Sequence, residues 1–435
     1  MMTRIQALTL IGLITAMGGC APNKKADQSK TSIATHTGTI DLPAPYATKS
    51  TKAYCDVIGW DNKTPVAPPG FKVSLFGDSL TNPRNIYVGR NGDVFVSEAN
   101  TEVGLIKRWG AALLGISKSQ YLGKSKNDII LFREINGKPV NMGVFLSGLN
   151  QPYGMLVWRN YFYVACTDGL WAFPYHAGDT RITGEGKKLL DLPAGGYNNH
   201  WTRNVVVSGD STHLFVSVGS GSNSGEHGME NEVRRADILQ IKPDGSQERV
   251  YASGLRNPAG ISINPFNYEL WASVNERDDL GDELVPDYLT SVRDGGFYGW
   301  PYAYFGPHQD PNHKNERPDL VKKTIVPDVS LGAHTASLGL TFYTSKVFPV
   351  KYWRGAFVTQ HGSWNSSKLV GYKVLFVPFN HGKPGKPEDF LTGFIADLDK
   401  KQVHGRPVGV AVAHDGSLLV ADDTSNKIWK VSLAE

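Results

Sequence analysis

Short apolar runs and polar turns alternate along most of the chain, and one paired unit recurs. In one half of the unit, a turn rich in Asn, Asp, Gly or Arg precedes a β-run, as in NGDVFVSEAN and DGSLLVADD. The six copies of this half begin at Asn91, Arg159, Asp210, Asn267, Arg354 and Asp415. Short runs of β-branched and aromatic residues between such turns predict β-strands.

A second β-run precedes each copy, as in NPRNIYV and GRPVGVAV, so each unit predicts a β-hairpin. Several copies are followed by a further strand, such as DILQIKPDG or NKIWKVS. Six such units predict an all-β fold, a six-bladed β-propeller over residues 66–435. The polar stretch YGWPYAYFGPHQDPNHKNERPDLVKK, between the fourth and fifth copies, predicts a loop inserted over one face.

Polar side chains lead into the innermost strand of each predicted blade. Because all the innermost strands run in the same direction along the channel, their starts meet at one mouth. The side chains at these starts are Arg84 and Asn85, Gln151, His200 and Arg203, Arg256 and Asn257, His334 and Thr335, and Arg406. Clustered arginines would repel one another unless an anion lay among them, and guanidinium groups suit carboxylates. The repeat therefore predicts a pocket for a polyanionic ligand or cofactor.

Composition agrees with one large globular unit. The chain has 435 residues, of which 11% are aromatic and 47 are glycine, which is too much glycine for a mainly helical protein. The formal net charge of +4 is small for this length, and the basic residues are scattered among acidic ones. No nucleic-acid partner is expected.

The N-terminus has the layout of a secretory signal. Arg4 precedes an apolar run that is too short to span a bilayer, and Gly18-Gly19-Cys20 follows it. Small residues before a cysteine are typical of a bacterial lipobox. We therefore expect a signal peptide over residues 1–19, a lipid on Cys20 and a flexible polar tether over residues 20–65. The anchor would hold the protein on the periplasmic side of the envelope, on the outer membrane; a plain secreted protein is the alternative.

Two cysteines remain after the lipobox, Cys55 and Cys166. They could pair in an oxidising compartment, or they could be unrelated, with Cys166 buried in a strand. The sequence leaves both alternatives open.

An acidic loop, SVNERDDLGDELVPDYLT, follows the fourth repeat. Its spacing is not that of an EF-hand, but calcium also accepts carboxylates and backbone carbonyls in irregular loops. A solvated acidic loop is the plainer interpretation. The loop should border the mouth, so metal contact is a second interpretation, including ligation through the backbone of Arg277, Asp278 and Asp279.

His200 is the strongest candidate for acid–base chemistry. It lies at the predicted mouth beside Arg203, and imidazole suits proton transfer near neutral pH. The chain contains no HExxH, CxxC or GxSxG motif, which argues against a zinc site and a serine hydrolase.

Seven motifs in order give a family resemblance that runs from about Gly70 to the C-terminus. They are NNHWTRNVVV, ASGLRNPAG, LWASVNERDDLGDELVPDYLTSV, GGFYGWPYAYFG, GAHTASLGLTFY, QHGSWN and GRPVGVAV. Together they resemble the L-sorbosone dehydrogenase-like branch of the soluble aldose (glucose) dehydrogenases. These are six-bladed propellers that depend on pyrroloquinoline quinone (PQQ).

The resemblance implies PQQ at the mouth, a calcium ion beside the quinone, and a histidine that takes the proton of a sugar hydroxyl. It assigns the base to His200 and the calcium ligands to backbone carbonyls of Arg277, Asp278 and Asp279. The implied cofactor contacts, including positions taken from the mouth, are Gln151, Arg203, Arg256, Asn257, His334, Thr335, His361 and Arg406. The implied partners are a sugar or aldehyde substrate and an electron acceptor that the sequence does not identify.

The chain departs from the glucose enzymes at three motif positions. Asp278-Asp279 replaces Gly-Pro in the calcium loop, and Asn199 replaces an aspartate before the catalytic histidine. The blade-five stretch TQHGSWN lacks the family's lysine; either His361 or a neighbour takes that place, or the cofactor lies differently. Two other functions stay open: a calcium-dependent lactonase-type hydrolase, and a non-catalytic sugar-binding envelope lipoprotein.

Overall fold

Six β-sheets surround a central channel in the computed structural model, which describes residues 26–102, 119 and 123–434. The strands of the first half are β1 (Lys30–Thr35), β2 (Gly38–Pro43), β3 (Asp56–Val57), β4 (Phe71–Gly77), β5 (Pro83–Val88), β6 (Val94–Glu98), β7 (Asp128–Ile135), β8 (Lys138–Leu146), β9 (Gly154–Trp158), β10 (Tyr161–Cys166), β11 (Gly169–Pro174), β12 (Lys187–Asp191), β13 (Arg203–Val207), β14 (Leu214–Val218), β15 (Asp237–Ile241) and β16 (Arg249–Ser253).

The second half continues in the same pattern. Its strands are β17 (Gly260–Ile263), β18 (Leu270–Val274), β19 (Pro286–Ser291), β20 (Gly296–Phe297), β21 (Ala303–Tyr304), β22 (His308–Gln309), β23 (Val329–Ala333), β24 (Ser337–Phe342), β25 (Ala356–Gln360), β26 (Lys373–Val377), β27 (Phe379–Asn380), β28 (Lys383–Pro384), β29 (Glu388–Leu391), β30 (Ile395–Asp397), β31 (Gln402–Val403), β32 (Pro407–Val412), β33 (Leu418–Asp422) and β34 (Lys427–Leu433). The α-helix α1 (Pro318–Lys323) and short 3₁₀ turns at Met229–Asn231, Pro311–His313 and Val350–Tyr352 interrupt the strands.

Each blade is an antiparallel sheet whose strands follow in chain order from the channel outwards. Blades 1, 2 and 3 are β5–β8, β9–β12 and β13–β16; blade 4 is β17, β18, β19 and β23; blade 5 is β24, β25, β26 and β29. Blade 6 is β32, β33, β34 and β4, so the strand that precedes blade 1 in the chain forms the outer edge of the last sheet. This pairing joins the two ends of the propeller.

The ring of blades is closed. The innermost strands contact one another in the order β5, β9, β13, β17, β24 and β32, and β32 contacts β5. All six contribute to the lining of a channel of about 260 Å³. The structure therefore confirms the predicted six-bladed β-propeller.

Glycines on the innermost strands allow adjacent blades to approach closely. A Cβ atom on Gly339 would lie 2.5 Å from the carbonyl oxygen of Val408 and 2.8 Å from Thr359 Oγ1. Thr359 Oγ1 donates a 2.6 Å hydrogen bond to the same carbonyl, across the boundary between blades 5 and 6. The blade boundary has no space for even one additional methyl group at this position.

Gly339→Ala should lower the free energy of unfolding by about 1–3 kcal/mol, because the new methyl group meets backbone rather than a movable side chain. Gly184→Ala is the matched control, since a Cβ there meets nothing within 4 Å. Thermal and denaturant unfolding of both variants would check this. Equal stability of the two variants would contradict the close packing of blades 5 and 6.

The insertion between the fourth and fifth copies is a folded segment rather than only a loop. Strand β20 extends blade 3 by pairing in parallel with β16, and β21 pairs with β22 ahead of α1. Within the described residues, no helix has both the length and the apolar character needed to cross a membrane.

The prediction of a flexible tether over residues 20–65 is wrong for the described part of that segment. Strands β1 and β2 form a hairpin whose Leu42 is buried in a core with residues of blades 3 and 4. Further along, Trp60 is 2% exposed and donates a 2.7 Å hydrogen bond from Nε1 to Asp422 Oδ2. The segment has too few apolar residues for a core of its own, so its composition resembles a linker; its isolated apolar side chains pack on the propeller instead. The predicted signal peptide and Cys20 lie outside the described residues.

Cys55 and Cys166 are both free and buried. Cys55 belongs to the core that contains Trp60, whereas Cys166 lies at the end of β10 in a different core. Of the two alternatives that the sequence left open, the structure supports unrelated, unpaired cysteines.

Candidate active site

One end of the propeller collects the starts of the innermost strands and the ends of the second strands, because the two are antiparallel neighbours. There a series of contacts runs through all the blades except blade 2. We call it the mouth ring: Trp201, Arg84, Asp423, His361, His334, Asp278, Asn223, Arg256, Ser220 and His200. His361 and His334 are linked through the backbone, since the backbone nitrogen of His361 donates to the carbonyl of Ala336 at 2.9 Å. Six members were predicted from the sequence, Arg84 as a mouth residue and the other five as site residues.

One ring nitrogen of His200, Nε2, has no hydrogen-bond partner among the described residues. Its Nδ1 lies 2.9 Å from the carbonyl oxygen of Ser220 and 3.0 Å from Ser220 Oγ. The carbonyl can only accept, and Ser220 Oγ already donates to the carbonyl of Ser222 at 2.6 Å. The hydrogen-bond network therefore assigns the proton to Nδ1, which leaves the lone pair of Nε2 available as a base.

The surroundings of His200 keep it neutral. Burial and the positive charge of Arg256 hold the pKa of His200 well below its ordinary value, and Arg203 and Arg235 add to the effect. A neutral imidazole with a free lone pair is the form that accepts a proton.

Two glycines allow the segment around His200 to pack against the loop after β14. A Cβ on Gly219 would lie 2.7 Å from His200 Cβ and 2.6 Å from Asn257 Oδ1. A Cβ on Gly221 would lie 2.7 Å from the carbonyl oxygen of Tyr197. The sequence VGSGSN is thus the local reason that His200 lies against the other side chains of the mouth.

Asp423 joins three blades. Its carboxylate pairs with Arg84 of blade 1 and accepts hydrogen bonds from His361 Nε2 at 2.9 and 3.0 Å. Burial and the charge of Arg406 lower the pKa of His361 to about 4, whereas His361 and Arg84 outweigh burial and lower the pKa of Asp423. Arg84 also lies over the ring of Trp201, 5.4 Å from its centroid.

Trp201 is 4% exposed and packs with Ala99 and Tyr153, near the junction of blades 1 and 2. Its indole nitrogen donates a 2.9 Å hydrogen bond to Thr101 Oγ1. Trp201 therefore has a structural role, and its neighbour His200 is the candidate for proton transfer.

The argument that the arginines need an anion among them is wrong for three of the four. Arg203 donates to the carbonyls of Pro193, His200 and Thr202, and burial lowers its pKa to about 9. Arg406 donates to the carbonyls of Ser119, His361 and Gly362. Arg256 donates to Asn223, Asn275 and Glu276. Oxygen atoms of the protein accept from all three guanidinium groups and leave only Arg203 Nε without a partner, so their assignment as cofactor contacts stays a prediction.

One guanidinium nitrogen of Arg84 pairs with Asp423, but its Nε is buried without a hydrogen-bond partner among the described residues. Arg203 Nε and Asn257 Oδ1 are likewise buried without such a partner.

Asn223 was missed by the sequence analysis, although its side chain joins Arg256 to the loop at Asp278. Its Oδ1 accepts from Arg256 and from the backbone nitrogen of Asp278, at 2.9 and 3.0 Å. Its carbonyl oxygen accepts from the indole nitrogen of Trp300 at 3.0 Å. Asn223 and Asp423 both follow the second strand of a blade. The antiparallel pairing that places first-strand starts at the mouth also places these ends there, which was the available signal.

The loop predicted to bind calcium is occupied by protein groups. The carbonyl oxygen of Asp278 accepts from Arg277 Nε at 3.0 Å and from Asn223 Nδ2 at 3.3 Å, and its carboxylate lies 3.2 Å from His334 Nδ1. Arg277 itself pairs with the buried Asp310 at 2.6 Å, and Asp279 exchanges hydrogen bonds with Asn365. Among the described residues, no group of three or more His, Cys, Asp or Glu could hold a metal ion. The calcium ligands predicted at Arg277, Asp278 and Asp279 therefore stay a prediction.

Three of the other predicted contacts are engaged with the protein. Burial alone would lower the pKa of His334, but hydrogen bonds with Asp278 and Gly281 raise it. Thr335 donates a 2.9 Å hydrogen bond to the buried Asp287. Gln151 donates from Nε2 to the carbonyl of Asn100 at 2.8 Å, so the described contacts do not join its side chain to the mouth ring.

Known proteins resemble the whole folded part of the chain. The family described as TrAA12-like matches residues 65–287 and 305–434. An uncharacterized protein of Borreliella burgdorferi is 27% identical over 84% of this chain and 89% of its own length. Aldose sugar dehydrogenase YliI of Escherichia coli is 32% identical over 58% of this chain and 65% of its own length.

A solved structure has the same fold. The holo form of the PQQ domain of pyranose dehydrogenase from Coprinopsis cinerea aligns with a TM-score of 0.68 at 20% identity, covering 87% of this chain and 100% of the domain. At that identity the likeness shows the propeller fold alone.

Proposed function

The chain belongs to the TrAA12-like family, and from this premise we propose that it is a sugar dehydrogenase that uses PQQ as its cofactor. The observation that carries the proposal is His200, a neutral imidazole with Nε2 free, fixed by Ser220 within a ring of cationic side chains. The sugar dehydrogenases among the relatives support the reaction class. The proposed substrate is an aldose or a sugar aldehyde such as L-sorbosone, in its hemiacetal or hydrated form.

The unsatisfied donor of Arg84 fits an acidic planar cofactor. Arg84 has a guanidinium N–H without a partner, His361 lies beside it on Asp423, and Asn257 Oδ1 is an acceptor that could take an N–H of the cofactor. A guanidinium group suits a carboxylate, and PQQ carries three carboxylates. These three residues would hold the cofactor. When bound, PQQ supplies a quinone that accepts a hydride.

The chain's own residues then perform the proton chemistry. His200 Nε2 would accept the proton from the hydroxyl on the carbon that is oxidised. Ser220 fixes the orientation of the ring through Nδ1. The positive charges of Arg256 and Arg203 favour the neutral imidazole before the reaction, so the base is ready near neutral pH.

Calcium is left out of this proposal, because Arg277 and Asn223 already bind the carbonyl oxygen of Asp278, one of the three predicted ligands. Arg256 places a guanidinium group on this side of the mouth, 3.9 Å from Asp278.

The proposal includes a lipid on Cys20, and hence a position on the periplasmic side of the outer membrane. The folded part of residues 20–65 begins at β1. The connection between Cys20 and this folded part is therefore much shorter than the 46 residues that the sequence suggested.

The purified protein should bind added PQQ, visible as bound-quinone absorbance, and then reduce a dye when an aldose or L-sorbosone is supplied. A parallel sample with a calcium chelator should bind PQQ and oxidise the sugar equally well. Loss of quinone binding in that sample would support the predicted calcium site. Failure to bind PQQ under both conditions would rule out the dehydrogenase. Binding without turnover on any sugar would favour a sugar-binding envelope protein, and lactone hydrolysis without quinone would favour the hydrolase.

A further inference from the structure

A groove of about 780 Å³ lies between blades 2 and 3, on the face opposite to the mouth. We call it the blade 2–3 groove. Strands β9 and β13 begin at the mouth, and the groove is lined by residues that follow their far ends, at the turns before β10 and β14. A third turn, after β15, closes one side through Lys242 and Asp244. Its volume lies within the range of small-molecule sites.

Aromatic side chains form one wall of the groove. Trp158 is half-buried, and Tyr161 is 45% exposed although it begins a strand. The ring of Tyr161 lies 6.2 Å from that of the buried Tyr163, whose hydroxyl donates to the carbonyl of Pro243. Tyr163 is thereby fixed. The guanidinium of Arg159 lies over the ring of Trp158, 4.0 Å from its centroid, so Tyr161 is the ring that offers an exposed face to a ligand. Flat apolar faces beside polar groups suit a ring-shaped ligand with hydroxyl groups.

The lining of the groove carries a net positive charge. Arg159, Lys187 and Lys242 line the groove, and no ion pair is found for any of them within the described residues. Asp244 is the one lining carboxylate; its Oδ1 accepts from the backbone nitrogen and hydroxyl of Ser246, at 2.9 and 2.7 Å. Three cations and one anion leave a charge of +2 in the lining.

Neutral hydrogen-bonding groups complete the lining. Ser211, Thr212 and His213 come from the turn before β14, and Thr212 Oγ1 lies 2.6 Å from His213 Nδ1. A stacking wall, unpaired cations and hydroxyl groups within one groove are complementary to a sugar that bears an acidic group.

We propose that the blade 2–3 groove binds an anionic saccharide, with a sugar ring against Tyr161 and its acidic group between Lys187 and Lys242. The shared chemistry is an acidic sugar; a carboxylate or a phosphate could supply the charge. The site is separate from the mouth ring, so it stands or fails independently of the proposed dehydrogenase.

Calorimetric titration of the full-length protein at low salt tests this with trigalacturonate, glucose 6-phosphate and the neutral maltotriose. At least one acidic sugar should bind, and maltotriose should bind about tenfold more weakly or not at all. Lys187→Glu/Lys242→Glu should weaken the acidic sugar by about tenfold or more and leave dye reduction at the mouth unchanged. Tyr161→Ala, at an exposed ring, should weaken both acidic and neutral sugars.

The matched control is Lys322→Glu/Lys323→Glu, which makes the same charge change on exposed residues of α1. It should bind the acidic sugar as the unmodified protein does. No binding of either acidic sugar at millimolar concentration would overturn the proposal. So would an equal loss of affinity in the two double variants, since binding would then respond to total charge rather than to this groove.

Discussion

His200→Gln should lower kcat for sugar oxidation by about 10²–10⁴-fold, because it removes the positioned base while keeping a polar side chain of similar length. The quinone should still bind, since its proposed contacts are Arg84, His361 and Asn257 rather than His200. Bound-quinone absorbance and steady-state rates on the same preparation would check both halves. The matched control is His176→Gln, at a side chain that is 80% exposed, which should leave both unchanged.

The pH profile of the unmodified enzyme separates a base from a merely structural histidine. The pKa of His200 is held well below the ordinary histidine value of 6.5, so Nε2 stays unprotonated as the pH falls from 8 to 6. The acid limb of kcat/KM should therefore lie below pH 6.5. An acid limb at or above pH 6.5 would show that the cations around His200 do not lower the pKa of the catalytic base. Full activity of His200→Gln would show that His200 is not the base.

The fold was accessible from the sequence because the propeller repeats one local pattern. Each blade begins with a hairpin that local turn chemistry and β-propensity specify, so the six turns from Asn91 to Asp415 could be read directly. The packing of the segment before β4 on the propeller could not be predicted in this way. Leu42 and Trp60 are single apolar residues in polar surroundings, and their partners lie in blades that are distant in sequence.

Part of the site could be predicted from the sequence, because strand direction determines which residues reach the mouth. His200, Arg256 and His334 were found because they precede innermost strands, and all of these run the same way. Asn223 and Asp423 were missed because they follow second strands, where the sequence shows only common loop residues. Nor can a sequence show which arginine is satisfied by backbone carbonyls: Arg406 and Arg84 look equivalent, yet Arg406 donates to three carbonyl oxygens and Arg84 keeps a free N–H.

Asp423→Asn should lower the free energy of unfolding by about 3–5 kcal/mol, because it removes the buried negative charge between Arg84 and His361. The carboxylate is 4% exposed, so water cannot replace it. Denaturant unfolding at pH 7 would measure the loss. Asp294→Asn, which breaks an exposed pair with Arg249, is the matched control and should cost at most about 1 kcal/mol.

The loss should depend on pH with a definite sign. Since the pKa of Asp423 is lowered in the folded state, its stabilisation is fully present above the carboxyl value of an unfolded chain, about 3.9, and is lost as the pH falls towards the folded value. The difference between the unmodified protein and Asp423→Asn should thus be equal at pH 7 and pH 5 and smaller near pH 3. The same variant frees Arg84 and His361 from their shared partner, so quinone affinity should change along with stability. If the variant lost stability but bound quinone as before, Asp423 would have only a structural role, and Arg84 and His361 would not be cofactor contacts.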